Sequence, residues 1–495
     1  MAEVVVVGAG VGGVAVAGRL ARAGHRVTVF EKRASSGGRL SVLERDGFHF
    51  DMGPSLLLMP PVFAETYASL GERMDDQLDL VRLDPTYRVH FHDDSSLDLT
   101  GDIPRLRTAV EAIEPGSTTS LLRFIAEGSN SYYISLEHFV GRNFYSWGEY
   151  LSLANLPLLF ELKALVKHYD NVSRYFSDPR LRAAFSFQNM YLGLSPFDAP
   201  ATFTLLQYTE LGEGIWFPRG GMSRIGESLT SIAEGLGVRF RYGEPVARID
   251  IQGNRATGVT LASGETVKAD VVVANADLPY VYDKLLPDDG SSARLARLKY
   301  TSSALVFYWA LKGEPDPQLL HHNVFLSEHR YRESFERIFK DLTLPDEPSF
   351  YIHAPVRTDP SLAPAGCDAL MVLVPVGYIN ERQPQDWEAI KAKAREAVFA
   401  RLARIGLKDL RQRILFEANM EPLRYLGEYN LAKGAAFGLS HNFTQVGYMR
   451  PRNRHSRYGN LYFVGASTHP GTGLPIVLLS AKLVSERIAK EQGQR

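Results

Sequence analysis

The first 31 residues constrain this chain more than any other stretch. Glu3-Val4-Val5-Val6-Val7 is a β-branched run that reads as a strand buried on both faces. Gly8-Ala9-Gly10-Val11-Gly12-Gly13 follows without a gap and sets glycines at 8, 10 and 13 in the spacing G-x-G-x-x-G. Val14 to Ala23 then predicts a helix with Gly24 as its stop signal. Val27-Thr28-Val29-Phe30 predicts a second strand, with Glu31 at its end, 21 positions beyond Gly10.

Strand, glycine turn, helix, strand and terminal acid in that register make a βαβ unit suited to a dinucleotide. Gly8 permits the tight turn, Gly10 lets the backbone approach a pyrophosphate, and Gly13 lets the helix pack close to the sheet. Val11 and Gly12 open the helix, whose free N–H groups and positive dipole end face the phosphates. Glu31, beside Lys32, accepts hydrogen bonds from ribose hydroxyls and disfavours a 2′-phosphate. The following loop carries Gly37-Gly38-Arg39, in which Arg39 offers a fixed cation fork beside the phosphates. A G-G-R loop after a βαβ unit that ends in Glu matches the flavoprotein pattern, and the expected cofactor moves from NAD to FAD. A hairpin over 41–51 then delivers Met52-Gly53-Pro54-Ser55, where Gly53, Pro54 and Ser55 form a second point of close backbone approach.

The nucleotide fold resumes at Gly220-Gly221, with a helix over 222–236, a strand over 238–242 and a meander over 245–268. Val246, in that meander, is a candidate for backbone contact to the adenine. A buried strand over 269–276 follows. Near the end, a strand over 459–466, a Gly/Pro loop over 467–475 and a helix over 476–490 make a second anion-facing helix start. Gly465, Ala466, Thr468, Gly473 and Leu474 are assigned to the cofactor there, and residues 491–495 are expected to fray. The predicted fold is therefore α/β: a Rossmann-like FAD-binding domain built from 1–75, 218–300 and 415–495, with an interleaved α+β substrate domain. That second part divides into a helical substrate or lid region over 76–217 and a substrate-binding sheet with helices over 301–414. The apolar runs Ala304–Leu311 and Leu370–Val376 supply strands for the floor of a cavity.

At 495 residues the chain is long for a single core. Its net charge of −1 argues against a nucleic-acid partner. The single cysteine, Cys367, excludes an intrachain disulfide and suits a reducing compartment. The histidines show no ligand spacing, and His321-His322 is a poor metal pair, so no metal is expected. No apolar run is long enough to span a membrane; the nearest approach, Leu151 to Val166, is broken by Asn155, Pro157, Glu161 and Lys163 and reads as a core or interfacial segment. The expected location is cytoplasmic, without a signal peptide.

The glycine motifs, Asp51-Met52-Gly53-Pro54-Ser55 and Gly465-Ala466-Ser467-Thr468-His469-Pro470-Gly471 resemble the phytoene desaturases of bacterial and fungal carotenoid synthesis. Met190 to Pro200, Gln207 to Leu211, Gly214 to Pro218 and Lys433 to His441 resemble the fungal branch, and the likeness runs through essentially the whole chain. The resemblance implies a flavin amine oxidase-like, FAD-dependent oxidoreductase that removes hydrogens from an apolar polyene, with hydride passing to flavin N5 and O2 or a quinone as the final acceptor. Fungal members carry a hydrophobic C-terminal anchor; none follows the final helix here, which leaves peripheral membrane contact as the expectation. Alternatives in the same fold are an oxidase of a smaller soluble metabolite, an amine or a polyketide-derived compound, and a reduced-flavin isomerase of carotenoid-like double bonds. Glu210, Glu213, Asp198 and His469 are the candidate proton-transfer groups. Glu210 and Glu213 stand three apart and would share one face of a helix. The oligomeric state is left open.

Overall fold

The computed structural model describes residues 1–492. Five parallel strands form the nucleotide-side sheet, in the order Leu461–Phe463, Val271–Ala274, Glu3–Val7, Arg26–Glu31, Arg239–Tyr242. The all-apolar run at the N-terminus is explained by cover on both faces. Val4 and Val6 pack toward Val14 and Leu20 of helix Val11–Arg22 and toward Leu478 and Val484 of helix Leu474–Gln492. Val5 and Val7 turn the other way, onto Val246, Val259 and Leu261 of the meander Val246–Gln252, Arg255–Leu261, Thr266–Lys268.

The first helix starts at Val11, three residues earlier than its apolar pattern begins. Gly12 and Gly13 therefore lie inside it, despite glycine's poor helix propensity. Space compels this: a Cβ on Gly13 would stand 2.1 Å from the Gly8 carbonyl oxygen. The hairpin Val42–Arg45, Phe48–Asp51 turns through Asp46 and Gly47, both at positive φ (53° and 81°), as an Asp-Gly hairpin turn requires. Asp51 closes it by accepting from the N–H groups of Met222 and Ser223, at 2.8 and 3.1 Å, and so caps helix Ser223–Gly235.

The second large sheet has seven strands, ordered Ile414–Met420, Ser303–Lys312, Cys367–Val376, Phe350–His353, His322–Phe325, Tyr87–His90, Ser96–Leu99. Leu305, Phe307, Trp309 and Leu311 face helix Trp387–Arg404, while Ala304 and Val306 face a cavity between the sheets. The segment expected to be helical thus contributes Tyr87–His90 and Ser96–Leu99 to this sheet. It also contributes Leu80–Leu83, which pairs with Ile215–Pro218. These runs are four residues each, too short for periodicity to separate strand from helix. The helix expected to carry Glu210 and Glu213 is broken into a 3-10 turn Ala201–Thr204, a short α-turn Leu205–Tyr208 and a π-turn Thr209–Glu213. The closing helix runs to Gln492, and Glu491 is tied into it by Arg487 and Tyr462 at 2.9 and 2.8 Å. Fraying was expected from 491; the remaining residues, 493–495, lie outside the described residues.

Candidate functional site

The cavity has a volume of about 560 Å³, and its walls fall into two sets, a first arm from the glycine motifs and the meander and a second arm from the 136–209 region and the seven-stranded sheet. The first arm is lined by Gly8, Gly10, Val11, Gly12, Glu31, Lys32, Gly38, Arg39 and Val246 from the early motifs and the meander. Glu31, nearly buried, accepts from the Ala9 N–H (2.8 Å) and the Arg33 N–H (2.9 Å), so its carboxylate is fixed at the strand end with lone pairs left for a diol. Lys32 reaches Asn430 Oδ1 at 2.9 Å. Backbone and the Asn275 side chain crowd this arm. A Cβ on Gly10 would meet the Asn275 amide at 2.8 Å, one on Gly38 the Gly10 Cα at 3.1 Å, and one on Gly53 the Arg39 carbonyl oxygen at 1.9 Å. Val14 makes the first backbone hydrogen bond of the helix, to Gly10. The N–H groups of Val11 and Gly12, ahead of it, are left for an anion.

Arg39 donates to the Ala436 carbonyl (3.0 Å), and burial pulls its pKa down, opposed by the Asp277 charge. Burial raises Asp277, which is held by the Ser467 hydroxyl (2.5 Å) and the Ala432 N–H (3.1 Å). Through residues 432–436, these bonds join the Gly37-Gly38-Arg39 loop to the closing one, from which Gly465, Ala466, Pro470, Gly473 and Leu474 line the cavity. Arg450, fully buried, clamps the closing loop. Its guanidinium bonds the carbonyls of Thr468 (3.1 Å), Ser440 (2.9 Å), Gln445 (3.2 Å) and Leu439 (3.2 Å), and also that of Ala466. Burial pushes its pKa down to about 9, which still leaves it charged at neutral pH. His441 accepts the Thr472 N–H at Nε2 (3.1 Å), and burial keeps it neutral. Gly471 is required beside it, since a Cβ there would stand 2.5 Å from His441 Nε2. Asp277, Arg450 and His441 carry no signal in the sequence, because each acts through partners that only folding brings near.

This arm fits FAD: a carboxylate for ribose, two helix starts, a buried arginine and a backbone approach too tight for any side chain at Gly10, Gly13 or Gly53. Two of the predicted cofactor residues stand behind its surface. Gly13 serves packing, and Thr468 donates its hydroxyl to the Pro451 carbonyl (3.0 Å).

The second arm is apolar. Met190, Leu192, Phe203, Leu206, Phe335 and Ile338 are among its walls, together with Val306 and Leu373 of the seven-stranded sheet. All the described charged residues on the cavity surface belong to the first arm. Glu210 is fully buried behind Tyr191, which lines the cavity. It accepts from Gln188 Nε2 (3.1 Å), itself held by Gln207, which donates to Gln188 Oε1 (2.8 Å). Burial raises its pKa to about 8, offset in part by Gln188, Tyr191 and Tyr87, so Glu210 is a neutral acid at pH 7. Glu213 does not share its face. The π-turn takes more residues per turn than an α-helix, so a three-residue step no longer returns to one side. Glu213 instead accepts from Tyr132 Oη (3.1 Å), half-buried, and burial raises its pKa. His469 turns away from the cavity toward the Arg142 carbonyl (3.1 Å) and Phe144, and burial lowers its pKa to about 4. Asp198 is exposed at the surface.

A family model described as flavin containing amine oxidoreductase matches residues 11–489. The chain is 50% identical over 488 residues to a zeta-carotene-forming phytoene desaturase of Myxococcus xanthus, covering 98% of this chain and 93% of that protein. It is 43% identical over 501 residues to a phytoene desaturase of Phycomyces blakesleeanus, covering 99% and 86%. It is 34% identical over 495 residues to a 4,4'-diapolycopene oxygenase of Methylomonas sp, covering 99% and 98%. Putrescine oxidase bound to putrescine shares the fold, with a TM-score of 0.64 at 16% identity over 100% of this chain and 99% of that one.

Proposed function

We propose that this chain, which belongs to the flavin-containing amine oxidoreductase family, desaturates an apolar isoprenoid or polyene with FAD as its cofactor. One observation carries this reading: the arm opposite the dinucleotide cradle is walled by aliphatic and aromatic side chains and offers no charged group to a polar substrate. The names of the full-length relatives, phytoene desaturases at 43% and 50% identity, support the same substrate class. FAD, when bound, supplies the two-electron acceptor for the hydrogen removed.

The chain's own residues do the rest. Glu31, Arg39 and the glycine loops hold the cofactor. The apolar walls exclude water and align an extended chain past Gly53 to Ser55, and position contributes more than acid–base chemistry to such a transfer. The second hydrogen leaves as a proton to solvent, since the Tyr191 hydroxyl, whose pKa burial raises, already holds its own. Glu210, one layer behind, holds a proton of its own and keeps that hydroxyl in a polar setting. O2 or a quinone takes up the electrons afterwards.

Substrate enters from a bilayer. No described helix is long and apolar enough to cross a membrane. Leu153, Phe160 and Leu165 nevertheless stand 89%, 79% and 86% exposed on one short stretch, with Trp147 and Leu151 half exposed beside them. That is the mark of a surface resting in an interface. Beneath it, Leu158 and Leu162 pack on Phe139, next to the cavity-lining Leu136 and Val140.

The test is turnover of a colourless isoprenoid polyene held in liposomes by the FAD-loaded protein. The expected result is a new, longer-wavelength absorption in the lipid phase, together with bleaching of the flavin when air and quinone are withheld. Flavin that stays oxidised with every polyene, yet bleaches with a water-soluble amine, would overturn the proposal.

A further inference from the structure

Three imidazoles meet on the cavity side of the seven-stranded sheet, outside both arms. His322 opens strand His322–Phe325 and pairs with His353, the last residue of strand Phe350–His353. Val324 and Tyr351, two residues away on each strand, line the cavity, so strand alternation sends His322 and His353 to that same face. His321 precedes the strand, escapes its alternation and turns in beside them. All three are buried, at 6% exposure or less. One ring nitrogen of each lies within 4.8 Å of the others, and Nε2 of His321 is 3.0 Å from Nε2 of His353. Nε2 of His322 is buried without a partner.

The outer nitrogens are already engaged. Nδ1 of His321 is 2.6 Å from Thr358 Oγ1, and Nδ1 of His322 is 2.7 Å from Tyr351 Oη, which in turn lies 2.8 Å from Ser55 Oγ. With both Nδ1–H groups donating outward, the two Nε2 lone pairs are left facing inward. That is the second-layer arrangement of metal-bound histidines. Hydrogen bonding among the rings alone satisfies one pair, His321 with His353, and strands His322. Burial lowers all three pKa values and keeps the rings in the neutral form that ligates. Arg357, whose charge faces His321, is neutralised by Asp368 at 2.7 Å.

We infer that His321, His322 and His353 form a site for one divalent transition-metal ion, of which Zn2+ best suits three imidazoles without a carboxylate. In a tetrahedral zinc site with Zn–N bonds of about 2.0–2.1 Å, ligand nitrogens stand about 3.3 Å apart; the His321–His353 pair already stands at 3.0 Å, and all three nitrogens lie within 4.8 Å of one another. The expectation of no metal rested on the lack of ligand spacing among the histidines and on the poor pair that adjacent His321 and His322 make; His353, 32 residues from His321, joins them only in the fold. The ion braces two strand ends and, through Tyr351 and Ser55, the wall where the cofactor arm meets the apolar arm.

The test uses the full-length FAD-loaded protein, stripped with a chelator, offered Zn2+ and gel-filtered, with zinc and flavin both counted. One zinc per chain is expected, with a first shell of nitrogen and oxygen only by X-ray absorption. Zinc is expected to be lost in His322→Phe and in His353→Phe while flavin content holds. A control, His329→Gln, alters the exposed His92, His329, Glu347 group and is expected to keep its zinc. Wild-type protein that retains no zinc overturns the inference whatever the variants do. So does zinc lost from His329→Gln but kept by His353→Phe.

Discussion

A single methyl group decides the cofactor cradle at residue 13. Its carbon would stand 2.1 Å from the Gly8 carbonyl oxygen, well inside contact distance, and that oxygen is backbone, also held by the Asn275 amide at 3.3 Å. Gly13→Ala is therefore expected to push the first helix off the sheet and to yield protein with little bound FAD. The measurement is the flavin-to-protein absorbance ratio after purification, and wild-type flavin content in the variant would contradict the packing argument. Glu210 makes a different prediction. Folded, it keeps its proton to about pH 8, whereas an exposed glutamate releases it near 4.5. The folded state binds the extra proton between those values, so this residue's contribution to stability falls as pH rises through that window. Glu210→Gln, which can still accept from Gln188, is expected to match wild type near pH 5 and to melt above it near pH 8. A Tm difference that stays flat with pH would refute the assignment. What was legible here was chemistry written contiguously: Gly8, Gly10, Gly12, Gly38, Glu31 and Arg39 line the cavity, with Gly13 packed just behind it. His469 and Thr468 sit in an equally suggestive motif, yet their side chains turn to Arg142 and Pro451, because loop direction depends on partners far away in sequence.

At the scale of elements, the closing loop hangs on one side chain. Arg450 supplies donors to five carbonyls from two segments, and removing it would leave those acceptors buried and unpaired. Arg450→Met is expected to cost about 3–5 kcal/mol. Because the lost contacts are those of the cofactor loop, FAD affinity should fall along with stability. Denaturant titration and flavin fluorescence measure the two, and a variant that lost neither would show the clamp to be idle. The elements easiest to read from sequence were the long ones with a single period, such as Ser303–Lys312, Cys367–Val376 and Trp387–Arg404. Those that escaped notice are four-residue strands whose partners lie far off: Tyr87–His90 adds in parallel to His322–Phe325 across more than half the distance to the end of the chain. The π-turn at Thr209–Glu213 was illegible for a related reason. Tertiary packing that buries Glu210 imposes it, and nothing in the local composition does.

At the scale of the molecule, a greasy shoulder over residues 147–165 faces whatever lies outside. Replacing both Leu153 and Phe160 with glutamate is expected to lower co-sedimentation with liposomes several-fold, while the flavin spectrum and Tm remain those of wild type. Unchanged lipid binding would place the entry surface elsewhere. The sequence marked this segment as core or interface without deciding between them, since apolar content is the same for both and only the fold shows which side is uncovered.

The central sheet also has a consequence in time. Its middle strand is residues 3–7 and one edge is residues 461–463, and the second glycine loop comes later still. A ribosome therefore releases the two halves of the cradle far apart in time, with residues 32–460 made between them. While that stretch is made the nascent polypeptide offers a nucleotide only one jaw, so loading with flavin waits for the second.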